Sequence, residues 1–274
     1  MGISKAIYKV GRQIRSLIEG YHFSKKYQDI PRKMVMTPHN FLFTGHLSMM
    51  NGTFEVDEVA CFKNTISDTD IFLNIGANIG YYTCLALKEG IKSIAFEPNP
   101  INGDFLCRNI YANQWQEKIE FYPMALSNTT GLFNLYGEGT GASLIKGWAG
   151  TSENKGTIVP VTTIDLVISN RFEGKKVVVL MDVEGVELMV LKGASKLITQ
   201  NPKPKFIIEI AIDEHQPDGQ QINPNLLETF DIFWKNGYHA YTFDKKMREI
   251  TEKELKLIMT TKVNSIETHN FIFQ

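Results

Sequence analysis

The chain has 274 residues, 43% of them apolar and 22% charged, with a formal net charge of −1. That length suits one α/β domain with a short extension, and the apolar share fills a core with both sheet faces covered. The near-neutral balance argues against a general nucleic-acid binder, and no apolar stretch reaches the ~20 residues of a membrane span.

Residues 1–33 hold eight Lys or Arg against two acids, a +6 arm ahead of a −7 body. Within the arm Ile3, Ile7, Val10, Ile14, Leu17 and Ile18 recur at helical spacing between basic residues, predicting an amphipathic helix over 3–20. Such a helix packs on the body, pairs in a homo-oligomer, or rests peripherally on a membrane surface. We take 1–50 as a basic helical extension and 51–274 as the main domain. The N-terminus lacks the apolar core of a secretion signal, and Ala6 stands where a myristoylation site wants Ser or Thr. Cys61, Cys84 and Cys107 form no C-x-x-C pair, which suits reduced thiols in a cytoplasmic protein. Cys84 and Cys107 fall in predicted helices and read as packing residues.

From Asp70 short apolar runs alternate with helical patterns. Strands are predicted over 71–75, 93–96, 119–124, 177–181 and 206–210, with helices over 79–88, 100–113, 184–191 and 226–234. Residues 238–243 and 270–273 are candidate last strands, able to pair antiparallel at one edge. Residues 125–163, rich in Gly, Thr, Ser and Asn, read as an inserted hairpin or loop. The alternation implies right-handed crossovers and a doubly wound, mostly parallel sheet.

Four strand ends carry chemistry. Asn74-Ile75-Gly76-Ala77-Asn78-Ile79-Gly80 follows a strand and opens a helix. Gly76 permits a sharp turn beside a ligand, Gly80 permits close helix–strand approach, and exposed N–H groups would attract a carboxylate. Asn78 occupies the middle position of G-x-G-x-x-G, which disfavours a pyrophosphate and favours the methionyl end of S-adenosylmethionine. Glu97, 21 residues after Gly76 and followed by Pro98, can accept from both ribose hydroxyls of a nucleoside. Asp182-Val183-Glu184-Gly185-Val186-Glu187 follows the central apolar run, and Asp182 reads as a site residue or a helix cap. Glu187 is expected on the surface. Glu209 sits inside an apolar run, so it must be paired or protonated, and His215 lies six residues beyond as a candidate general base. No spacing demands a metal ion.

Taken jointly these pieces resemble the FkbM family of methyltransferases, over roughly residues 50–245. The resemblance rests on Gly52-Thr53-Phe54-Glu55, the 76–80 loop with Tyr81-Tyr82-Thr83, Phe96-Glu97-Pro98-Asn99-Pro100, Ala125-Leu126-Ser127, residues 162–166 and Asp182-Val183-Glu184-Gly185. It implies a class I methyltransferase fold: a Rossmann-like α/β architecture with a mostly parallel seven-stranded sheet and an antiparallel edge strand. It also implies O-methylation of a hydroxyl on a sugar, glycan or natural product. S-adenosyl-L-methionine would be held by Glu55, Asn74, Gly76, Ala77, Asn78, Gly80, Glu97, Pro98, Ala125 and Asp182. Asp182, Glu209 and His215 would handle the acceptor's proton. The family usually carries Asp at Asn74 and often Lys at Leu180. The first change costs an ammonium partner about 1–2 kcal/mol, roughly tenfold in affinity. Two other readings stand beside this one: a non-catalytic methyltransferase-like partner subunit, and a nicotinamide-dependent oxidoreductase. Phe133, Tyr136, Leu144 and Trp148 in the insertion are candidates to line an acceptor site.

Overall fold

The computed structural model describes residues 33–137, 139–151 and 156–274. The helix expected over 3–20 lies outside them. In chain order the elements are β1 (Val35–Met36), β2 (Leu42–Phe43), α1 (Leu47–Asn51), α2 (Val56–Ile66), β3 (Ile71–Ile75), α3 (Tyr81–Lys88), β4 (Lys92–Phe96), α4 (Pro100–Ala112), β5 (Ile119–Tyr122), β6 (Ala125–Leu126), β7 (Gly131–Tyr136), β8 (Gly156–Thr162) and α5 (Ile164–Ile168). They continue with β9 (Val177–Met181), α6 (Glu187–Lys192), α7 (Ser195–Thr199), β10 (Lys205–Glu209), α8 (Leu226–Lys235), β11 (Ala240–Thr242), α9 (Glu252–Thr261) and β12 (Asn270–Phe273).

The main sheet runs β11-β12-β10-β9-β3-β4-β5. Every pairing from β10 to β5 is parallel, while β12 runs antiparallel to both its neighbours, one strand in from the edge. The chain winds from β3 outward to β5, then returns to β9 on the other side, so the winding reverses between β3 and β9. Ligands collect outside the carboxyl ends of the strands at such a reversal.

Both faces are covered, and β9 reads as a continuous apolar run for that reason. Val177, Val179 and Met181 pack under Leu191, Leu197 and Phe230, whereas Val178 joins Phe62, Cys84 and Phe105 on the opposite face. The β1–β2 hairpin is tied to α4 by two asparagines. Asn109 accepts from the Thr44 N–H and donates to the Thr44 and Ile79 carbonyls, and Asn113 exchanges two bonds with the Leu42 backbone.

The insertion after β5 forms a three-stranded sheet, β6-β8-β7. β7 and β8 are its antiparallel hairpin, and β6 pairs parallel to β8. Leu135, Val159 and Val161 close a small core there. Among the described residues no helix is long and apolar enough to cross a membrane.

Candidate active site

Register decides which side chains meet. Ile75 pairs with Phe96 on one side and Met181 on the other, and Met181 pairs with Ile208. The next residue on each strand, Gly76, Glu97, Asp182 and Glu209, therefore stands in one row along the carboxyl edge. Two clefts open on this row. The first encloses about 570 Å³ and includes Gly76, Asn78, Glu97, Pro98, Ala125 and Asp182 in its lining. The second encloses about 640 Å³ and includes Glu55, Asn74, Gly76, Ala77, Asn78, Asp182 and Glu209. The clefts share Gly76, Asn78 and Asp182.

Gly76 has φ 80°, and a Cβ there would stand 1.8 Å from the Asp182 carbonyl oxygen. Besides the sharp turn beside a ligand that the sequence suggested, its bareness permits the close approach of the two strand ends. Gly80 corrects an expectation. An added Cβ would meet Leu106 at 3.0 Å, so this glycine admits α4 against the start of α3, not a strand, and it lines neither cleft.

The loop amides were expected to be exposed to a ligand, and they are not. Gly76 and Ala77 both donate to the Phe96 carbonyl, Gly80 donates to Ala77, and Ile79 donates to the Asn78 side chain. The Asn78 amide donates to Glu97 Oε2 at 2.8 Å. Glu97 thus organises the loop from the neighbouring strand. Its Oε1 accepts from the Asn99 N–H at 2.8 Å and from Asn102 Nδ2 at 3.4 Å. Burial pushes the Glu97 pKa up to about 7, against the pull of those donors. Each carboxylate oxygen has two lone pairs, so acceptor capacity remains toward the first cleft. Asn102 faces the same cleft with a buried Oδ1 that has no partner.

In the second cleft Asn74 donates through Nδ2 to Thr83 Oγ1 at 2.9 Å, which leaves its Oδ1 as the atom available to a ligand. Glu55 accepts a 2.6 Å bond from the Tyr82 hydroxyl, and desolvation raises its pKa. Desolvation, then repulsion from Glu209, raises Asp182 well above the ordinary carboxylate range. Desolvation brings Glu209 to about 7. Glu209 can therefore exchange a proton near neutrality. Left-handed backbone at Glu55, Asn78 and Glu184, with φ of 41°, 51° and 54°, marks the cleft walls as strained positions.

Three further findings revise the sequence reading. Glu187 is 3% exposed, not a surface residue; it accepts from the Gly185 N–H at 2.8 Å, and burial lifts its pKa to about 8. The helix begins only at Glu187 with Val186 as its cap, so Asp182 caps nothing. His215 lines neither cleft; its ring lies against Trp148 with centroids 6.3 Å apart. The histidine beside the acids is His269, at the entry to β12. Its Nδ1 lies 3.2 Å from Glu214 and its Nε2 3.9 Å from Glu209, and the Glu214 bond raises its pKa to about 9. Nothing local marks His269, because it reaches the site only through the antiparallel β10–β12 pairing.

The insertion roofs the first cleft. Trp148 Nε1 donates to Glu184 Oε2 at 2.7 Å, and Ser143 Oγ donates to the Glu184 carbonyl at 2.6 Å. Gly185 lies so close to Trp148 that a Cβ would stand 2.4 Å from the indole. Of the four insertion residues considered for an acceptor site, Leu144 lines the first cleft and Trp148 latches onto Glu184, while Phe133 and Tyr136 line neither cleft.

The strand order, the reversal between β3 and β9, and a buried acid at the end of the second strand define a class I methyltransferase fold. The methyltransferase FkbM domain matches residues 74–240, and the chain belongs to that family. The nicotinamide oxidoreductase alternative falls with this assignment. No curated protein matches the chain. Among solved structures it is similar to a methyltransferase FkbM from Methylobacillus flagellatus KT, with TM-score 0.46 and 19% identity, over 75% of this chain and 43% of that one. The chain thus spans less than half of that protein. It is also similar to an O-methyltransferase from Bacillus cereus in complex with SAH, with TM-score 0.45 and 11% identity, covering 80% of each chain. A third is TYW2 from P. horikoshii in complex with MeSAdo, with TM-score 0.40 and 14% identity, over 85% of this chain and 67% of that one.

Proposed function

We propose that the chain is an S-adenosyl-L-methionine-dependent O-methyltransferase acting on a hydroxyl of a sugar, glycan or natural product. One observation carries this reading: two clefts meet at Gly76, Asn78 and Asp182, one with an acid suited to a ribose and the other with an ionisable carboxylate pair.

The residues present fit the cofactor. In the first cleft Glu97 would hold the ribose hydroxyls, and Pro98 and Ala125 would flank the nucleoside. Asn102 Oδ1, buried and unpartnered, asks for a donor such as an amine or hydroxyl. Asn74, Ala77 and Glu55 would meet the methionyl end. When bound, the cofactor supplies an electrophilic methyl group on sulfur. Transfer forms an oxygen–carbon bond, breaks the sulfur–carbon bond and releases the acceptor's proton. Asp182 or Glu209 takes that proton, because desolvation makes both more basic than an ordinary carboxylate. The bonds from Trp148 and Ser143 to Glu184 hold the 182–187 loop that carries Asp182.

Calorimetric titration with S-adenosylmethionine and with NAD tests the cofactor, and production of S-adenosylhomocysteine on adding hydroxyl acceptors tests the reaction. Saturable binding of the first alone is expected. Binding of neither ligand would favour a non-catalytic partner subunit instead.

A further inference from the structure

Among the described residues, those lining the two clefts include six carboxylates, from Glu55, Glu58, Glu97, Asp182, Glu184 and Glu209, and no Lys, Arg or His. Four of the six, Glu55, Glu58, Asp182 and Glu209, belong to the second cleft. Among the described residues, His269 stands outside this lining, 3.9 Å from Glu209 and 3.2 Å from Glu214. S-adenosylmethionine brings one sulfonium and one ammonium against its own carboxylate, which leaves several cleft acids uncompensated. A phosphorylated, sulfated or carboxylated acceptor is repelled by such a cleft. A neutral one leaves the repulsion between Asp182 and Glu209 in place, whereas a cation offsets it.

A second observation is independent of charge. Tyr81 is 2% exposed and lines this same cleft, and its hydroxyl has no hydrogen-bond partner. Phe54 and Tyr82 stand edge-on to the Tyr81 ring, with centroids 5.6 and 6.0 Å away. Aromatic walls of this kind attract an organic cation, and an unpartnered hydroxyl oxygen accepts from an N–H donor.

We propose that the part of the second cleft beyond the cofactor's methionyl end takes an acceptor that carries a protonated amine as well as the hydroxyl to be methylated: an amino sugar or amino alcohol. Glu58, the Tyr81 hydroxyl and the aromatic walls hold the ammonium, while Asp182 and Glu209 face the hydroxyl. This inference rests on the methyltransferase reading of the site.

The test uses the full chain saturated with S-adenosylhomocysteine. Glucosamine, N-acetylglucosamine and glucuronate are then compared by ligand-observed NMR and by methyl transfer from S-adenosylmethionine. Glucosamine is expected to bind about tenfold tighter than its neutral acetylated counterpart, a difference near 1.4 kcal/mol, and glucuronate least. That advantage should shrink at least about threefold at 0.5 M salt, and in Glu58→Gln and Tyr81→Phe, each measured separately. Equal or tighter binding of the acetylated sugar or the acid overturns the proposal, as does an advantage untouched by both substitutions, or no binding of glucosamine. Failure of S-adenosylhomocysteine itself to bind instead sinks the methyltransferase reading.

Discussion

Replacing Gly76 with alanine tests whether the meeting of β3 and β9 builds the site, and Gly90 supplies a matched control. Both glycines have left-handed backbone, φ 80° and 85°. A Cβ at Gly90 meets nothing within 4 Å, whereas at Gly76 it would stand 1.8 Å from the carbonyl oxygen and 2.9 Å from the carbonyl carbon of Asp182. Left-handed strain costs each variant about 1–2 kcal/mol. The Gly76 variant must also displace backbone by more than an ångström, and overpacking of that kind adds about 1–3 kcal/mol. At roughly 2–4 °C per kcal/mol for a domain of this size, Gly90→Ala lowers Tm by about 2–8 °C. Gly76→Ala lowers it by roughly 2–12 °C more and abolishes S-adenosylmethionine binding, because Gly76 and Asp182 line both clefts. Scanning calorimetry and ligand titration of the two proteins decide the matter. Equal melting temperatures with cofactor affinity intact would refute the claim that this contact shapes the pocket.

Glu97→Gln should weaken S-adenosylmethionine and methylthioadenosine alike, by about 10- to 100-fold in titration, because the lost charged acceptor faces the nucleoside that both share. Asn74→Asp should strengthen S-adenosylmethionine about tenfold and leave methylthioadenosine, which has no ammonium, unchanged; an equal change in both would show that Asn74 does not meet the methionyl end. Stability should fall as pH rises from 6 to 9. Glu97, Glu187 and Glu209 have folded pKa values near 7, 8 and 7, raised by burial or desolvation, and His269 is raised to about 9 by Glu214. Groups raised in the fold stabilise it below their unfolded pKa, and that contribution is lost as pH climbs through the folded value. Each such group accounts for at most about 1.4 kcal/mol per pH unit in its window, and Glu187→Gln should flatten the decline in Tm between pH 6 and 8.5. A wild-type Tm that rises over that interval contradicts the burial of these acids. Binding of the cationic cofactor should release protons, seen as a buffer-dependent binding enthalpy between pH 6 and 7.5, because it favours ionised Glu209; a buffer-independent enthalpy counts against Glu209 facing it.

What the chain determined by itself is what local pattern can carry. The apolar run Val177–Met181, the Gly-rich turn after Ile75 and the acid after Phe96 each announce a strand end within a few residues. Parallel winding then brings such ends to one edge, so Gly76, Glu97, Asp182 and Glu209 were legible. The helices Val56–Ile66 and Glu252–Thr261 were not anticipated, since their apolar stripes gain meaning only against the sheet face and the helix that they cover. Tertiary structure alone decided which groups are satisfied and which are desolvated. Glu97 holds Asn78 from a neighbouring strand, Glu187 turns inward, His269 arrives from the far end of the chain, and Trp148 reaches Glu184 across 36 residues. Hydrogen bonding and desolvation depend on neighbours brought together by strand pairing and loop closure, and a one-dimensional pattern does not encode those distances.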